Sequence, residues 1–248
     1  MSEVTGALRL DRSVSICMPA YNEEDNLPAM VADVVEVMRA RCDDWELVVA
    51  NDGSRDRTGA VLEELAQRVP ELKPVHHAVN QGYGAAAYTA ITHASKEVIL
   101  FTDSDRQFVL SEIDRLWPYL ERADLVAGYR APRRDPFLRV VFGWGWSALV
   151  TLLFGYTARD VDCAFKLFRR ELFDVVGPSI GARGATFSAE WLVRARRAGF
   201  TIVEAPVSHL PRRAGSPTGA RLDVIRRAFR ELWRLRLQLW REGRTGKR

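Results

Sequence analysis

Five short apolar runs, the first four each followed by a turn and then by a stretch with helical spacing, constrain this chain more than any other feature. Val14–Met18, Trp45–Ala50, Leu72–His76, Glu97–Thr102 and Asp124–Gly128 read as strands. Between them, Asn26–Arg41 brings Leu27, Met30, Val31, Val34, Val35 and Met38 onto one helical face. Asp56–Arg68 (Asp56 as cap), Tyr83–Ala94 and Ser111–Leu120 (Ser111 as cap) read as further helices. Such alternation through tight connections predicts an α/β fold, a mostly parallel sheet flanked by helices. A later run, Ile202–Val207, is also strand-like.

With 248 residues, the chain is long enough to bury a substantial core as one domain, or as one domain with an appendage. Its 47% hydrophobic and 27% charged residues are those of a globular protein, not a fibrous or disordered one. The net charge of +4 is mild, but the basic residues cluster after position 128. Cys17, Cys42 and Cys163 are odd in number and widely spaced, with no CxxC or zinc pattern, which predicts a reducing, cytosolic compartment. Met1 to Arg12 lack an apolar signal core, and no uncharged apolar run is long enough to predict a transmembrane helix.

In an open α/β sheet, ligands bind beyond the C-terminal ends of the strands. Asp103-Ser104-Asp105 stands there, straight after an apolar run. Side chains alternate along extended chain, so the two carboxylates are expected on one side. Paired carboxylates without His or Cys suit Mg²⁺ or Mn²⁺, which completes its shell with substrate phosphates. The pair suggests a metal-bridged nucleoside diphosphate, with a solvated Asp-rich turn as the alternative. Gly82-Tyr83-Gly84-Ala85-Ala86-Ala87 mimics a dinucleotide-binding fingerprint, but it follows the third strand rather than the first. Its glycines read better as permitting close packing near the site.

Four motifs follow the first four strands in order: Pro19-Ala20-Tyr21-Asn22-Glu23, Asn51-Asp52-Gly53-Ser54, Asn80-Gln81-Gly82-Tyr83-Gly84-Ala85 and Asp103-Ser104-Asp105. Ala127-Gly128-Tyr129-Arg130, Asp160-Val161-Asp162-Cys163-Ala164-Phe165-Lys166, Glu190 and Arg212-Arg213-Ala214-Gly215-Ser216 come later. This ordered set resembles the family 2 glycosyltransferases of GT-A fold, and among them the polyprenyl-phosphate (dolichyl-phosphate) sugar synthases. The resemblance implies a catalytic domain over residues 13–218, between an N-terminal tail (1–12) and a basic amphipathic C-terminal helix and tail (219–248).

The resemblance also implies a division of labour. Pro19, Tyr21, Glu23, Asp52, Gly82, Gly84, Asp103 and Ser104 would hold a nucleotide-diphosphate sugar donor. Tyr21 offers a flat face to a base, and Glu23 and Asp52 offer acceptors to base or ribose. Asp103, Asp105 and Gln107 would bind Mg²⁺ or Mn²⁺. Asp105, Arg130, Arg139, Asp160, Asp162, Glu190, Arg212 and Arg213 would carry catalysis. Arg130, Arg139 and one of Arg212 and Arg213 form an expected phosphate clamp, because a guanidinium fork matches phosphate oxygens. For Asp160, Asp162 and Glu190, pairing with nearby arginines stays open beside catalysis. Asp162 and Ala164 depart from the family's commoner residues. So does Arg106, which either points away from Asp105 or reaches the diphosphate.

The implied acceptor, a polyprenyl phosphate, is already anionic near neutral pH and needs no strong base. Catalysis would rest on in-line positioning and on stabilising the departing diphosphate, with inversion at the anomeric carbon. Val140–Phe154 is uncharged but too short to span a bilayer. Trp144, Trp146 and the flanking Arg139 and Arg159 suit an interfacial helix, with a buried core helix as the alternative.

At the C-terminus, Leu222, Ile225, Phe229, Leu232, Trp233, Leu239 and Trp240 alternate with Arg226, Arg227, Arg230, Arg234, Arg236 and Arg241. That is a basic amphipathic helix suited to an anionic membrane surface. Packing on the catalytic domain, or on a partner such as an integral membrane protein, stays open. The expected location is cytoplasmic and peripheral, at the inner face of the membrane. Nucleic acid is disfavoured as a partner, because the basic residues are interleaved with apolar helix faces. Two other readings stand beside this one: a family 2 transferase with a soluble or glycan acceptor, and a GT-A-like partner-binding module.

Overall fold

The computed structural model describes residues 7–134, 137–211 and 222–245. Along the chain run β1 (Val14–Ala20), α1 (Leu27–Arg39), β2 (Trp45–Asn51), α2 (Thr58–Ala66), β3 (Leu72–His76), α3 (Tyr83–Thr92) and β4 (Val98–Phe101). There follow α4 (Ile113–Leu116), β5 (Leu125–Arg130), α5 (Phe137–Phe154), β6 (Lys166–Arg169), α6 (Arg170–Val176), α7 (Phe187–Arg197), β7 (Ile202–Val207) and α8 (Leu222–Thr245). Every residue of β1, β2 and β4 is buried, as strands covered by helices on both faces must be.

The seven strands form one sheet in the order β3-β2-β1-β4-β6-β5-β7. All neighbours are parallel except β6, which runs antiparallel between β4 and β5. This is the mostly parallel α/β sheet of the GT-A fold that the sequence implied. The inserted β6 was not legible beforehand. Its Lys166 pairs with Phe101, the last residue of β4, and with Ala127 of β5. An antiparallel strand presents its N-terminus where its neighbours present their C-termini. The segment before β6, Asp160–Phe165, therefore arrives at the same sheet edge as the residues that follow β1, β2 and β4.

One predicted helix is broken. Ser111–Leu120 is a 3₁₀ turn (Leu110–Glu112), the single turn α4 and a second 3₁₀ turn (Trp117–Glu121). Pro118 is the reason: it lacks an N–H and its ring clashes with the carbonyl four residues back, so an α-ladder cannot run through it. Ser111 makes no capping bond. Asp56 does hold the start of α2, its Oδ1 accepting from the Thr58 amide at 3.0 Å.

Helix α7 is welded to the sheet by Trp191, whose ring centroid lies 4.7 Å from Phe168, 5.8 Å from Phe173 and 6.2 Å from Phe101. Leu10 is buried in the core and its amide donates to the Arg41 carbonyl at 2.8 Å, so packing begins before β1.

At the opposite end of the strands, the buried Glu46 of β2 ties three segments together. Its carboxylate accepts from Ser15 Oγ (2.6 Å), the Ser95 amide (2.6 Å), Ser95 Oγ (2.9 Å) and Lys73 Nζ (2.5 Å). Burial would raise its pKa, but Lys73 and the other donors hold it at about 2. A carboxyl depressed in the folded state contributes stability above its unfolded value, and that stability is lost as pH falls through the folded value. Between pH 7 and pH 2.5, the melting temperature of Glu46→Gln is therefore expected to start lower than that of the parent and to fall less below the ordinary carboxylate range. Parallel melting curves for the two proteins would remove Glu46 as the acid-sensitive tie.

Candidate active site

The strand order reverses between β1 and β4, and it is at such a switch point that an open sheet leaves a crevice. Ser104 bridges it, its Oγ donating to the Pro19 carbonyl at 2.9 Å. Strand β4 ends at Phe101, so strand alternation does not set the aim of the Asp103 and Asp105 carboxylates, contrary to the sequence argument. The chain bends instead, and Arg106 takes a left-handed φ of 59°. The Arg106 side chain is tied to α1, its Nε donating to Asp33 Oδ2 at 2.8 Å.

Asp105 is buried, and its Oδ1 accepts from the Gln107 amide at 3.1 Å. Asp103 accepts from the Tyr83 hydroxyl at 3.0 Å. Gln107 Nε2 donates to the Leu210 carbonyl (3.1 Å), and the Leu210 amide donates back to the Gln107 carbonyl (2.8 Å). This stitch brings the segment after β7 against the carboxylate motif. Asp103, Asp105 and Gln107 thus offer only hard oxygen donors. Among the described residues no group of three or more His, Cys, Asp or Glu could cage an ion by itself. The set fits a cation of the Mg²⁺ or Mn²⁺ type that draws further ligands from phosphate and water.

The loops after β1 and β2 are zipped together. The Asn22 amide donates to Ser54 Oγ (3.0 Å), the Arg55 amide to Asn22 Oδ1 (2.9 Å) and the Glu23 amide to Thr58 Oγ1 (2.8 Å). Glu23 Oε2 also accepts from Asn26 Nδ2 at 2.6 Å, while the Tyr21 ring remains exposed. Asp52 is buried, and its carboxylate accepts from the amides of Gln81 and Gly82 and from the His77 ring, each at 2.8 Å. It therefore shapes the loop between β3 and α3.

The glycines of that loop are needed for close approach. A Cβ on Gly82 would lie 2.8 Å from the Arg183 carbonyl oxygen, and one on Gly84 2.6 Å from the Gly184 carbonyl oxygen. The segment before α7 thereby seats on α3, and the Ala85 amide donates to the Arg183 carbonyl at 3.0 Å. Glu190 holds that segment from beneath, accepting from the amides of Gly181 (3.1 Å) and Ala182 (2.7 Å) and from Arg194 Nε (2.7 Å).

Arg130, the last residue of β5, grips Asp160 with a two-pronged contact: Nε to Oδ2 and Nη2 to Oδ1, both 2.7 Å. Arg133 Nη1 stands 3.9 Å from the same carboxylate. Burial pushes the Asp160 pKa up, but the two arginines win and hold it below the usual carboxylate range. Asp162 is exposed on the loop before β6. Arg139 lies in α5 with its side chain outside the described residues, as are Arg212 and Arg213. Arg130→Lys keeps the charge but loses the fork. Turnover is expected to fall about a hundredfold, with melting shifted by only a few degrees, because one ion pair to Asp160 survives. A collapsed melting temperature with normal activity per folded molecule would make Arg130 purely structural.

Lys166 was legible only as a motif letter. Its side chain is fully buried, and its Nζ donates to the carbonyls of Val161 (3.2 Å) and Cys163, folding the loop that carries Asp160 and Asp162. The available signal was a lysine placed inside an apolar run, Phe165-Lys166-Leu167-Phe168.

The fold is thus a mostly parallel α/β sheet with oxygen donors gathered at its switch point, the class in which ligands bind beyond the strand ends. Residues 15–177 match Glycosyl transferase family 2, and the chain belongs to that family. Among similar proteins, a dolichyl-phosphate beta-glucosyltransferase of Trichomonas vaginalis is 32% identical over 212 residues, covering 78% of this chain and 64% of that protein. The chain thus spans less than two thirds of that relative's length. The polyprenol monophosphomannose synthase of Mycolicibacterium smegmatis is 28% identical over 224 residues, covering 86% and 83%. In fold, the chain is similar to glucosyl-3-phosphoglycerate synthase from Mycobacterium tuberculosis, solved with Mn²⁺, UDP and glucosyl-3-phosphoglycerate. The TM-score is 0.67 at 20% identity, covering 92% of this chain and 80% of that one.

Proposed function

We propose that this protein moves a sugar from a nucleoside-diphosphate sugar to a polyprenyl phosphate held in a membrane. The observation that carries this is the exposed apolar face of α5. Phe142 is 67% exposed, Trp144 65% and Leu152 81%, on a helix with no charge between Val140 and Phe154. Val141, Gly145, Ala148 and Leu152 recur at helical spacing as one outward stripe. A water-soluble acceptor gives no reason for such a face; an acceptor confined to a bilayer does. The buried-core alternative does not account for these exposures. No helix among the described residues is long and apolar enough to cross a membrane, so the reading is of a surface-seated enzyme. The names of the Trichomonas and Mycolicibacterium relatives support the same acceptor class.

Asp103, Asp105 and Gln107 would hold Mg²⁺ or Mn²⁺, as the Mn²⁺ in the glucosyl-3-phosphoglycerate synthase structure supports. The ion, when bound, would neutralise charge on the departing diphosphate. The chain's own residues do the rest in this reading. Tyr21 and Glu23 bind the donor beside the loop that Asp52 shapes, Ser104 keeps the crevice ends in register, and Arg130, anchored on Asp160, places a guanidinium charge for phosphate at the same sheet edge. An anionic acceptor oxygen then attacks in line, with inversion. The test is a turnover screen of nucleotide sugars against a short polyprenyl phosphate and against soluble sugars and phosphates. Transfer to the lipid phosphate is expected; preferential transfer to a soluble acceptor overturns the function.

A further inference from the structure

Helix α8 presents three faces. Ala228, Leu232, Leu235 and Leu239 are buried against the domain. Phe229 (53%), Trp233 (60%) and Trp240 (52%) are exposed along one flank, and Trp146 of α5 meets Phe229 edge-on at 6.3 Å. Arg227, Arg230 and Arg234, spaced three and four apart, share the other flank. There they line a cavity of about 200 Å³ with Arg183, Gln81 and Gly184. The carboxylate motif of the active site is not part of its wall.

Four of the residues lining this cavity are arginines. Arg227, Arg230 and Arg234 make no ion pair among the described residues. Glu231 also lines the cavity, but its carboxylate is engaged by the Thr186 hydroxyl. Arg183 is fixed in place: it stacks on the Tyr88 ring at 4.4 Å, and its Nη1 donates to the Ile180 carbonyl at 2.9 Å. Four guanidinium groups face one carboxylate, Glu231, around this space, an excess of positive charge, and their forks suit phosphate oxygens.

We propose that this pocket seats the phosphate of an anionic phospholipid headgroup. The inference rests on the reading that α5 and α8 face a bilayer. A phosphate held one flank away from Phe229 and Trp233 would stand at headgroup depth when those rings enter the apolar boundary. Gln81, in the cavity wall, belongs to the loop that Asp52 holds, so an occupied pocket also adjoins the donor-side motif.

The test uses the full chain and vesicles of phosphatidylcholine with phosphatidylglycerol. Arg230→Gln/Arg234→Gln is compared with the charge-matched Arg226→Gln/Arg236→Gln, which lies off the pocket. Both remove two positive charges and so lose the same long-range attraction to the anionic surface. The pocket pair is expected to weaken binding about tenfold more than its control, and Arg230→Lys/Arg234→Lys to fall between, since lysine lacks the fork. Equal losses from both charge-matched pairs overturn the pocket and leave only diffuse attraction. Pocket-dependent binding of millimolar glycerol 3-phosphate in solution, with vesicle binding equally weakened by both charge-matched pairs, would assign the site to a soluble phosphate and overturn the headgroup. Parent protein that binds no vesicle yet transfers sugar to a detergent-dispersed polyprenyl phosphate would overturn the headgroup site while leaving the acceptor intact.

Discussion

Asp105→Asn is expected to lower sugar transfer by at least about a thousandfold while the protein still melts near the parent temperature. The reasoning starts from its position: a buried carboxylate at the switch point, beside Asp103, with Gln107 folded back onto it. Asparagine keeps an oxygen to accept the Gln107 amide, so that bond is retained. What it removes, under the proposed function, is the charge that would attract a divalent cation and, through it, the diphosphate. Electrostatic stabilisation of a leaving group by such a site supplies several kcal/mol, and each 1.36 kcal/mol is about tenfold in rate. Chelation of the parent enzyme is expected to reproduce the loss, and added Mn²⁺ or Mg²⁺ to restore the parent but not the variant. Full turnover by Asp105→Asn would remove this carboxylate from the chemistry.

The second large effect is on stability. Lys166→Met, a substitution close in length and fully apolar, is expected to destabilise the fold by about 2–5 kcal/mol in urea denaturation. The ammonium serves the carbonyls of Val161 and Cys163, both inside the protein. Without it each buried carbonyl loses a donor, at about 1–3 kcal/mol apiece. Burial itself penalises the lysine, lowering its pKa, so the loss is smaller than the gross strength of its bonds. Turnover is expected to fall with stability, because the loop it folds carries Asp160, the anchor of Arg130. A variant as stable as the parent would mean that packing of the apolar stem, not the charge, holds the loop.

The sequence alone was enough for the first three strand–helix units and for the fourth strand. Each strand is a short apolar run, each helix shows its 3.6-residue spacing, and both patterns arise from neighbours along the chain. Their order was enough to predict that Pro19, Asp52, Gly82 and Asp103 share one sheet edge, since parallel strands all end there.

Other features depended on contacts distant in sequence. Strand β6 is four residues long, and its antiparallel direction is decided by pairing with β4 and β5, which leaves no local signature. The aim of Asp105 and Arg106 followed from a bend that strand alternation does not describe. Asp52, Glu190 and Asp160 are acidic letters in a motif until the fold decides which donors surround them: three donors on Asp52, two loop amides and Arg194 on Glu190, the Arg130 fork on Asp160. Helical spacing of apolar and basic residues marked α8, and an uncharged apolar run marked α5. Only their packing determined which apolar side of each is buried and which stays outside, because a helix whose whole circumference is apolar, as α5 nearly is, carries no internal instruction about the face it will hide.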